Sequence, residues 1–168
     1  MHTGDGQINA ESIQGDIRMS TSDGRIQTAS LKGKLELHTS DGHVEISDAD
    51  GQLDARTSDG HIRASGRFDD LNLETGDGDI FAEVRTGSRM SSSWNVRSKD
   101  GRVTLRLPQD FFAEVYARTG DGTIHSDLPI TMEAYTSNRP HEVRGRLNSG
   151  GSTLTVRTND GSIYLERL

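Results

Sequence analysis

The chain has 168 residues, a net charge of −7 and 34 Leu, Ile, Val and Phe residues, about one residue in five. So small an apolar share is near that of disordered chains, and such a chain folds only if these residues are placed regularly. The acidic balance, with no basic stripe in the sequence, argues against a nucleic-acid partner. No apolar stretch is long enough to span a membrane. The absence of cysteine excludes disulfides, thiolate zinc sites and thiol nucleophiles.

A short motif, Thr-(Gly/Ser)-Asp-Gly-x-(Ile/Val), recurs every 18 residues through the first half of the chain. Its copies begin at Thr3, Thr21, Thr39, Thr57 and Thr75. Weaker copies lie halfway between them, at Gly15-Asp16-Ile17, Gly33-Lys34-Leu35, Gly51-Gln52-Leu53 and, with Asp in place of Gly, Asp69-Asp70-Leu71. The repeat is therefore a doubled unit of nine residues, and a period this regular predicts a repeat architecture.

Apolar and polar residues alternate within each nine-residue unit. Of the eighteen positions that lie two and four residues after each turn residue, seventeen are apolar and Thr28 is the exception. Among the intervening positions only Phe81 is apolar. Alternation with a period of two predicts half-buried β-strands of about five residues, and the helical period of about 3.6 residues is absent.

Two all-β architectures fit this pattern. In a single-domain β-solenoid, each 18-residue coil contains two short strands, and the coils stack about 4.8 Å apart. In an antiparallel meander, each Asp-Gly pair is a hairpin turn. The meander leaves a broad apolar face uncovered, whereas the solenoid closes that face on itself, so the sequence favours the solenoid.

The solenoid assigns structural roles to the turn motif. The turn glycines supply a positive φ at the corner, and the aspartate before each glycine accepts hydrogen bonds from the turn backbone. Thr39, Thr57 and Thr75 form a hydroxyl ladder, and outward columns carry compensating charges such as Arg18 beside Glu36. The turn glycines are Gly6, Gly24, Gly42, Gly60 and Gly78.

The regular spacing ends near Arg85. Further Asp-Gly turns follow at wider intervals, and residues 103–107, 115–117 and 154–156 have the pattern of strands. We predict a loop or hairpin insert over residues 129–146 and one domain over residues 1–168, with regular coils in 1–86 and irregular, longer coils and a C-terminal cap in 87–168. Bulkier side chains are expected to fill the wider coils. They are Trp94, Phe111, Phe112, Tyr116, Tyr135 and Tyr164.

The order of the motifs resembles a known family. The Thr-Ser-Asp-Gly-x-Ile repeats are followed by ARTGDGTI at 117–124, DLP at 127–129, GRLNSGG at 145–151 and TNDGSI at 158–163. This series is similar to the bacterial adhesin-like β-strand-repeat domains of unknown function, which are likened to a toast rack. The resemblance implies a β-solenoid from a membrane-anchored or exported envelope protein, and it brings no catalytic residues. The sequence begins directly in a repeat unit, so we expect no signal or anchor within it.

Two outward columns contain candidate metal ligands. The turn aspartates Asp5, Asp23, Asp41, Asp59 and Asp77 would stack as in calcium-binding β-rolls. Those rolls require Gly-Gly-x-Gly-x-Asp, which this sequence lacks. In the second column, His43, His61 and Asp79 would stack about 5 Å apart, although three ligands in a row make a poor tetrahedron. We therefore expect turn-forming aspartates and solvated histidines, with no metal or cofactor.

The sequence favours a non-catalytic binding or scaffold module. Polysaccharide-cleaving enzymes bring two or three carboxylates together in a groove, whereas the carboxylates here recur at every coil. We expect a polar ladder surface that meets a protein or glycan partner at the bacterial cell envelope. Two alternatives stay open. One is a homo-oligomer assembled through uncapped strand edges at the solenoid ends, and the other is a calcium-dependent module like a β-roll.

Overall fold

The computed structural model describes residues 1–132 and 141–168, and these ranges contain fifteen β-strands. They are β1 (Ile8–Glu11), β2 (Gln14–Ser20), β3 (Ile26–Ala29), β4 (Lys32–His38), β5 (Val44–Arg56), β6 (Ile62–Thr75), β7 (Ile80–Val84), β8 (Trp94–Ser98), β9 (Val103–Leu107), β10 (Ala113–Arg118), β11 (Ile124–Ser126), β12 (Ile130–Met132), β13 (Glu142–Leu147), β14 (Thr153–Arg157) and β15 (Ile163–Arg167). Tyr135 and the middle of the insert at 129–146 lie outside the described residues. Within those ranges, no helix has the length and apolar character needed to cross a membrane.

The strands form two parallel ladders. The front ladder contains the strands that follow the Asp-Gly turns, and the back ladder contains those that follow the second corner of each coil. In the front ladder Ile8 pairs with Ile26, and Ile26 with Val44. In the back ladder Ile17 pairs with Leu35 at the same register of 18 residues. The long strands β5 and β6 pass through the second corner and belong to both ladders. Parallel pairing confirms the all-β solenoid and excludes the meander.

The second half of the chain departs from coil order. In the back ladder β14 lies between β8 and β10, and in the front ladder β15 lies between β9 and β11. The chain thus skips one layer between β9 and β10, and its last two strands return to fill it. The hairpin strand β13 pairs antiparallel with both β10 and β12 and closes the far end of the back ladder. Because β15 is paired on both sides, the uncapped edge expected at the C-terminal end of the chain does not exist.

The inward side chains of both ladders form one hydrophobic core, as the alternation predicts. In the second half this core is aromatic, since the buried rings of Trp94 and Phe111 lie 5.1 Å apart between centroids. The other bulky side chains do not fill it. Tyr116 and Tyr164 occupy outward, half-buried positions, and Phe112 is exposed. Strand parity explains this outcome, because each tyrosine follows an inward residue by one position.

The turn glycines are required by space rather than by φ. None of the five has a φ between +20° and +160°, contrary to the expected positive φ. A Cβ at Gly42 would lie 1.9 Å from the carbonyl oxygen of Gly24 in the preceding coil. The left-handed backbone occurs at the second corner instead, for example at Ser30 (φ 53°) and Asp48 (φ 57°). Glycine at the Asp-Gly corner therefore permits adjacent coils to approach more closely than any side chain would allow.

Candidate functional site

A buried hydroxyl lies at each Asp-Gly corner. The hydroxyl of Thr57 donates to the carbonyl oxygens of Ser40 (3.0 Å) and Gly42 (3.0 Å) in the preceding coil. It also accepts the backbone N–H of Gly60 (3.2 Å). The expected hydroxyl ladder therefore joins each hydroxyl to backbone groups rather than to the next hydroxyl. The same pattern occurs at Thr21, Thr39, Ser98, Thr119 and Thr158.

The turn aspartates do not have the role that the sequence predicted for them. Asp5, Asp23, Asp41, Asp59 and Asp77 are all exposed. In the part of the chain that the structure describes, none of their carboxylates accepts a hydrogen bond from the turn backbone, because the corner hydroxyls occupy that position. The carboxylate of Asp77 instead lies 4.0 Å from the ammonium group of Lys99. Residues 1–132 and 141–168 contain no group of three or more His, Asp or Glu side chains that could hold a metal ion.

His43, His61 and Asp79 lie in one outward column of the front ladder. The two imidazole rings stack with centroids 5.0 Å apart and an interplanar angle of 17°. Nδ1 of His43 accepts the backbone N–H of His61 (3.1 Å), and Nδ1 of His61 accepts that of Asp79 (2.8 Å). The carboxylate of Asp79 continues this pattern by accepting the backbone N–H of Arg102 (2.8 Å). These side chains are therefore hydrogen-bond acceptors that join one coil to the next.

The hydrogen bonds fix the tautomer of the histidines. An Nδ1 that accepts a backbone N–H leaves the proton of the neutral ring on Nε2, which faces outward as a donor. Burial lowers the pKa of His43, and the positive charges of His61 and Arg25 lower it further. Protonation at Nδ1 would break the hydrogen bond from the next coil, so the neutral ring is the form that fits the column.

An aromatic row lies beside this column on the front ladder. Phe81, Thr104 and Tyr164 are direct neighbours on β7, β9 and β15 and point outward. The guanidinium groups of Arg63 and Arg106 lie 5.4 Å and 5.5 Å from the centroid of the Phe81 ring. Phe81, the one apolar exception to the outward polar pattern, is thus held between two cations.

The second ring of the row has a similar environment. Tyr164 stacks on His125 with centroids 5.0 Å apart, and the guanidinium of Arg102 lies 5.5 Å from the Tyr164 centroid. A shallow depression runs between the aromatic row and the histidine column. We call it the front groove and define it by Asp79, Phe81, Arg102 and Thr104, which are among its lining residues. It combines both signs of charge with half-exposed aromatic surface.

A column of three arginines lies on the outward side of the back ladder. Arg97 on β8, Arg157 on β14 and Arg118 on β10 are direct neighbours, and all three are exposed. Beside them, the ring of Tyr116 lies between the guanidinium groups of Arg144 (4.6 Å) and Arg157 (5.3 Å). The expectation that the chain has no basic stripe was therefore wrong. The three arginines are far apart in sequence and meet because β14 inserts between β8 and β10.

The family model of Toastrack DUF4097 matches residues 1–90 and again residues 64–166. The chain belongs to the Toastrack family. Together the two Toastrack matches cover both the regular coils and the strands that fill the skipped layer, and they confirm the resemblance to β-strand-repeat domains of unknown function. Comparison with curated proteins gave no match, and comparison with solved structures gave none either.

Proposed function

We propose that this Toastrack chain is a non-catalytic binding module of the bacterial cell envelope that holds an extended segment of a partner protein in its front groove. The observation that carries the proposal is the pair of half-buried outward rings, Phe81 and Tyr164, with arginines over both of them. Aromatic and arginine side chains are enriched among the residues that dominate protein–protein binding energy.

The ladder also supports binding through its rigidity. Thr104 lies between Phe81 and Tyr164 on adjacent parallel strands, so the two rings are held two strand spacings apart, about 9.6 Å. The backbone of these three strands is hydrogen-bonded on both sides. A surface that is ordered before binding loses little conformational entropy when the partner arrives.

The charges of the groove favour a polypeptide as its occupant. Asp79 and Arg102 place one negative and one positive group beside the aromatic row. A polypeptide segment offers complementary charges of both signs together with apolar side chains for the rings. The envelope as the compartment, and the absence of catalysis, are carried over from the family resemblance and from turn carboxylates that recur at every coil.

Photocrosslinking in the producing cells tests this function. A photoreactive amino acid at Thr104 leaves both rings of the groove intact, and the same amino acid at Asn72 on the back ladder is the control. We expect one protease-sensitive adduct in the envelope fraction from position 104 and none from position 72. Phe81→Ala combined with Tyr164→Ala should remove that adduct. A protease-resistant, glycan-containing adduct, the same adducts from both positions, or no adduct would contradict the proposal.

A further inference from the structure

The arginine column, Arg97, Arg157 and Arg118, breaks a rule that the chain follows elsewhere. Along the other outward columns opposite charges meet, as in the pairs Arg18–Glu36 (2.7 Å) and Arg106–Glu166 (2.9 Å). Among the residues that the structure describes, none of the three column guanidinium groups forms an ion pair.

The three positive charges are therefore uncompensated on adjacent strands, about 4.8 Å apart. Like charges directly opposite each other in a ladder are destabilising. This chain carries a net charge of −7 and 26 acidic residues, so acidic partners for the column are not scarce in its composition. A local conflict of this kind, without a compensating gain inside the fold, is typical of a functional surface.

A row of neutral polar groups runs along the arginine column. Asn95, Thr155 and Tyr116 are neighbours on β8, β14 and β10, two residues before each arginine, and all three are half-buried. The column thus offers three guanidinium forks, and the row beside it offers an amide, a hydroxyl and a phenol at the same spacing. Guanidinium forks bind carboxylates in bidentate geometry, and the neutral row supplies hydrogen-bond partners for hydroxyl groups.

The environment of Tyr116 disfavours a nucleic acid as the ligand. Arg144 and Arg157 lie on the strands that flank β10 on opposite sides, and both guanidinium groups lie over the ring. The ring faces are covered, so a base cannot stack on them as bases do in single-strand binding sites. The net charge of −7 also repels a long phosphate backbone.

We propose that the arginine column binds a carboxylated polysaccharide, whose chain runs along the stacking axis of the back ladder. One sugar unit of an extended chain is similar in length to the strand spacing, so successive carboxylates can each meet one arginine. The hydroxyl groups of the sugars then face the row formed by Asn95, Thr155 and Tyr116. This site lies on the ladder opposite to the front groove and does not depend on the protein partner proposed above.

Calorimetric titration of the whole chain with an oligogalacturonate tests the site. The fully methyl-esterified oligomer is the neutral control, and an oligothymidylate of equal charge is the nucleic-acid control. We expect binding of the acidic oligomer alone. The double variant Arg97→Gln/Arg118→Gln should weaken it by about tenfold or more, because two charge-assisted contacts are lost. The double variant Arg89→Gln/Arg167→Gln makes the same change in net charge away from the column and should leave the affinity unchanged.

Three results would overturn the proposal. They are no binding of the oligogalacturonate, equal binding of the oligothymidylate, and equal loss of affinity in both double variants. Thermal melts of each variant establish that it is folded before titration. Crosslinking from position 104 is expected to be unaffected by Arg97→Gln/Arg118→Gln, so a failure at the arginine column is distinguishable from a failure at the front groove.

Discussion

The backbone of Leu154 pairs with that of Trp94 in the parallel back ladder, although strands β9 to β13 lie between them in the sequence. On its other side Leu154 pairs with Val115. The last segment of the chain is therefore an interior layer of the solenoid. In an ordinary solenoid each repeat contacts only its neighbours in sequence, whereas here the final strands hold the two parts of the stack together.

Truncation of Leu154 should accordingly destabilise the fold strongly. Leu154 is fully buried in the inserted layer, and Leu154→Ala should lower the free energy of unfolding by about 2–5 kcal/mol. Ile130→Ala, at a half-buried position in the terminal strand β12, should cost less. Urea unfolding of both variants checks this. A larger loss for Ile130→Ala would mean that β14 is peripheral.

The corner hydroxyl should be more important than its size indicates. Thr57→Val keeps the shape but leaves the buried N–H of Gly60 and the carbonyl of Gly42 without their partner. An unsatisfied buried group costs about 1–3 kcal/mol, and we expect a loss of that order in urea unfolding. Thr57→Ser retains the hydroxyl, as Ser98 does at its own corner, and should retain most of the stability. Equal losses in the two variants would refute this role.

The coil spacing at the Asp-Gly corner should not tolerate a methyl group. In Gly42→Ala the new Cβ would lie 1.9 Å from the backbone oxygen of Gly24, so the coils must separate locally. We expect a clear decrease in the thermal midpoint. Gly4→Ala is the matched control, because a Cβ at Gly4 meets nothing within 4 Å. A Gly42→Ala midpoint equal to that of the native chain would show that the coils are not in such close contact.

Much of the fold follows from the sequence in the first half. A period of 18 residues fixes the register of each coil, and the alternation separates inward side chains such as Ile62 from outward ones such as His61. The corner chemistry was less predictable. Asp and Thr both form turn hydrogen bonds, and only the burial of Thr57 beside the exposed Asp59 shows which of the two does so.

The order of layers in the second half was not predictable from alternation. A period of two states which side chains face inward, and it does not state which strands are neighbours. One signal was nevertheless present for the arginine column. Arg97, Arg118 and Arg157 each stand immediately before the Ser or Thr of an Asp-Gly corner. Alignment of the chain on its corners, instead of on equal spacing, would have placed the three arginines in one outward column.

The histidine column predicts a specific dependence of stability on pH. The pKa of His43 is lowered in the folded chain by burial and by His61 and Arg25, below the value of about 6.5 for a free histidine. The unfolded chain then binds the proton more tightly. The stability contributed by neutral His43 is complete above the unfolded pKa and decreases as the pH falls through it towards the lowered folded value.

Substitution of His43 isolates this contribution. Asn at position 43 offers a side-chain oxygen to the backbone N–H of His61, as Asp79 does for Arg102, and it does not titrate. Thermal midpoints measured between about pH 5 and pH 8 should decline more steeply towards acid in the native chain than in His43→Asn. Parallel curves for the two proteins would contradict the role given to the neutral ring.

Disulfide trapping tests the inserted layer most directly, because the chain contains no cysteine of its own. Asn95 and Thr155 are direct partners on β8 and β14, and Thr155 and Tyr116 are direct partners on β14 and β10. Two strand steps of about 4.8 Å each exceed the Cα separation of about 7 Å that a disulfide can bridge. We expect Asn95→Cys/Thr155→Cys to form a disulfide on mild oxidation and Asn95→Cys/Tyr116→Cys to remain reduced. A disulfide in the second pair and none in the first would show that β8 and β10 are neighbours, and would contradict both the inserted layer and the arginine column built on it.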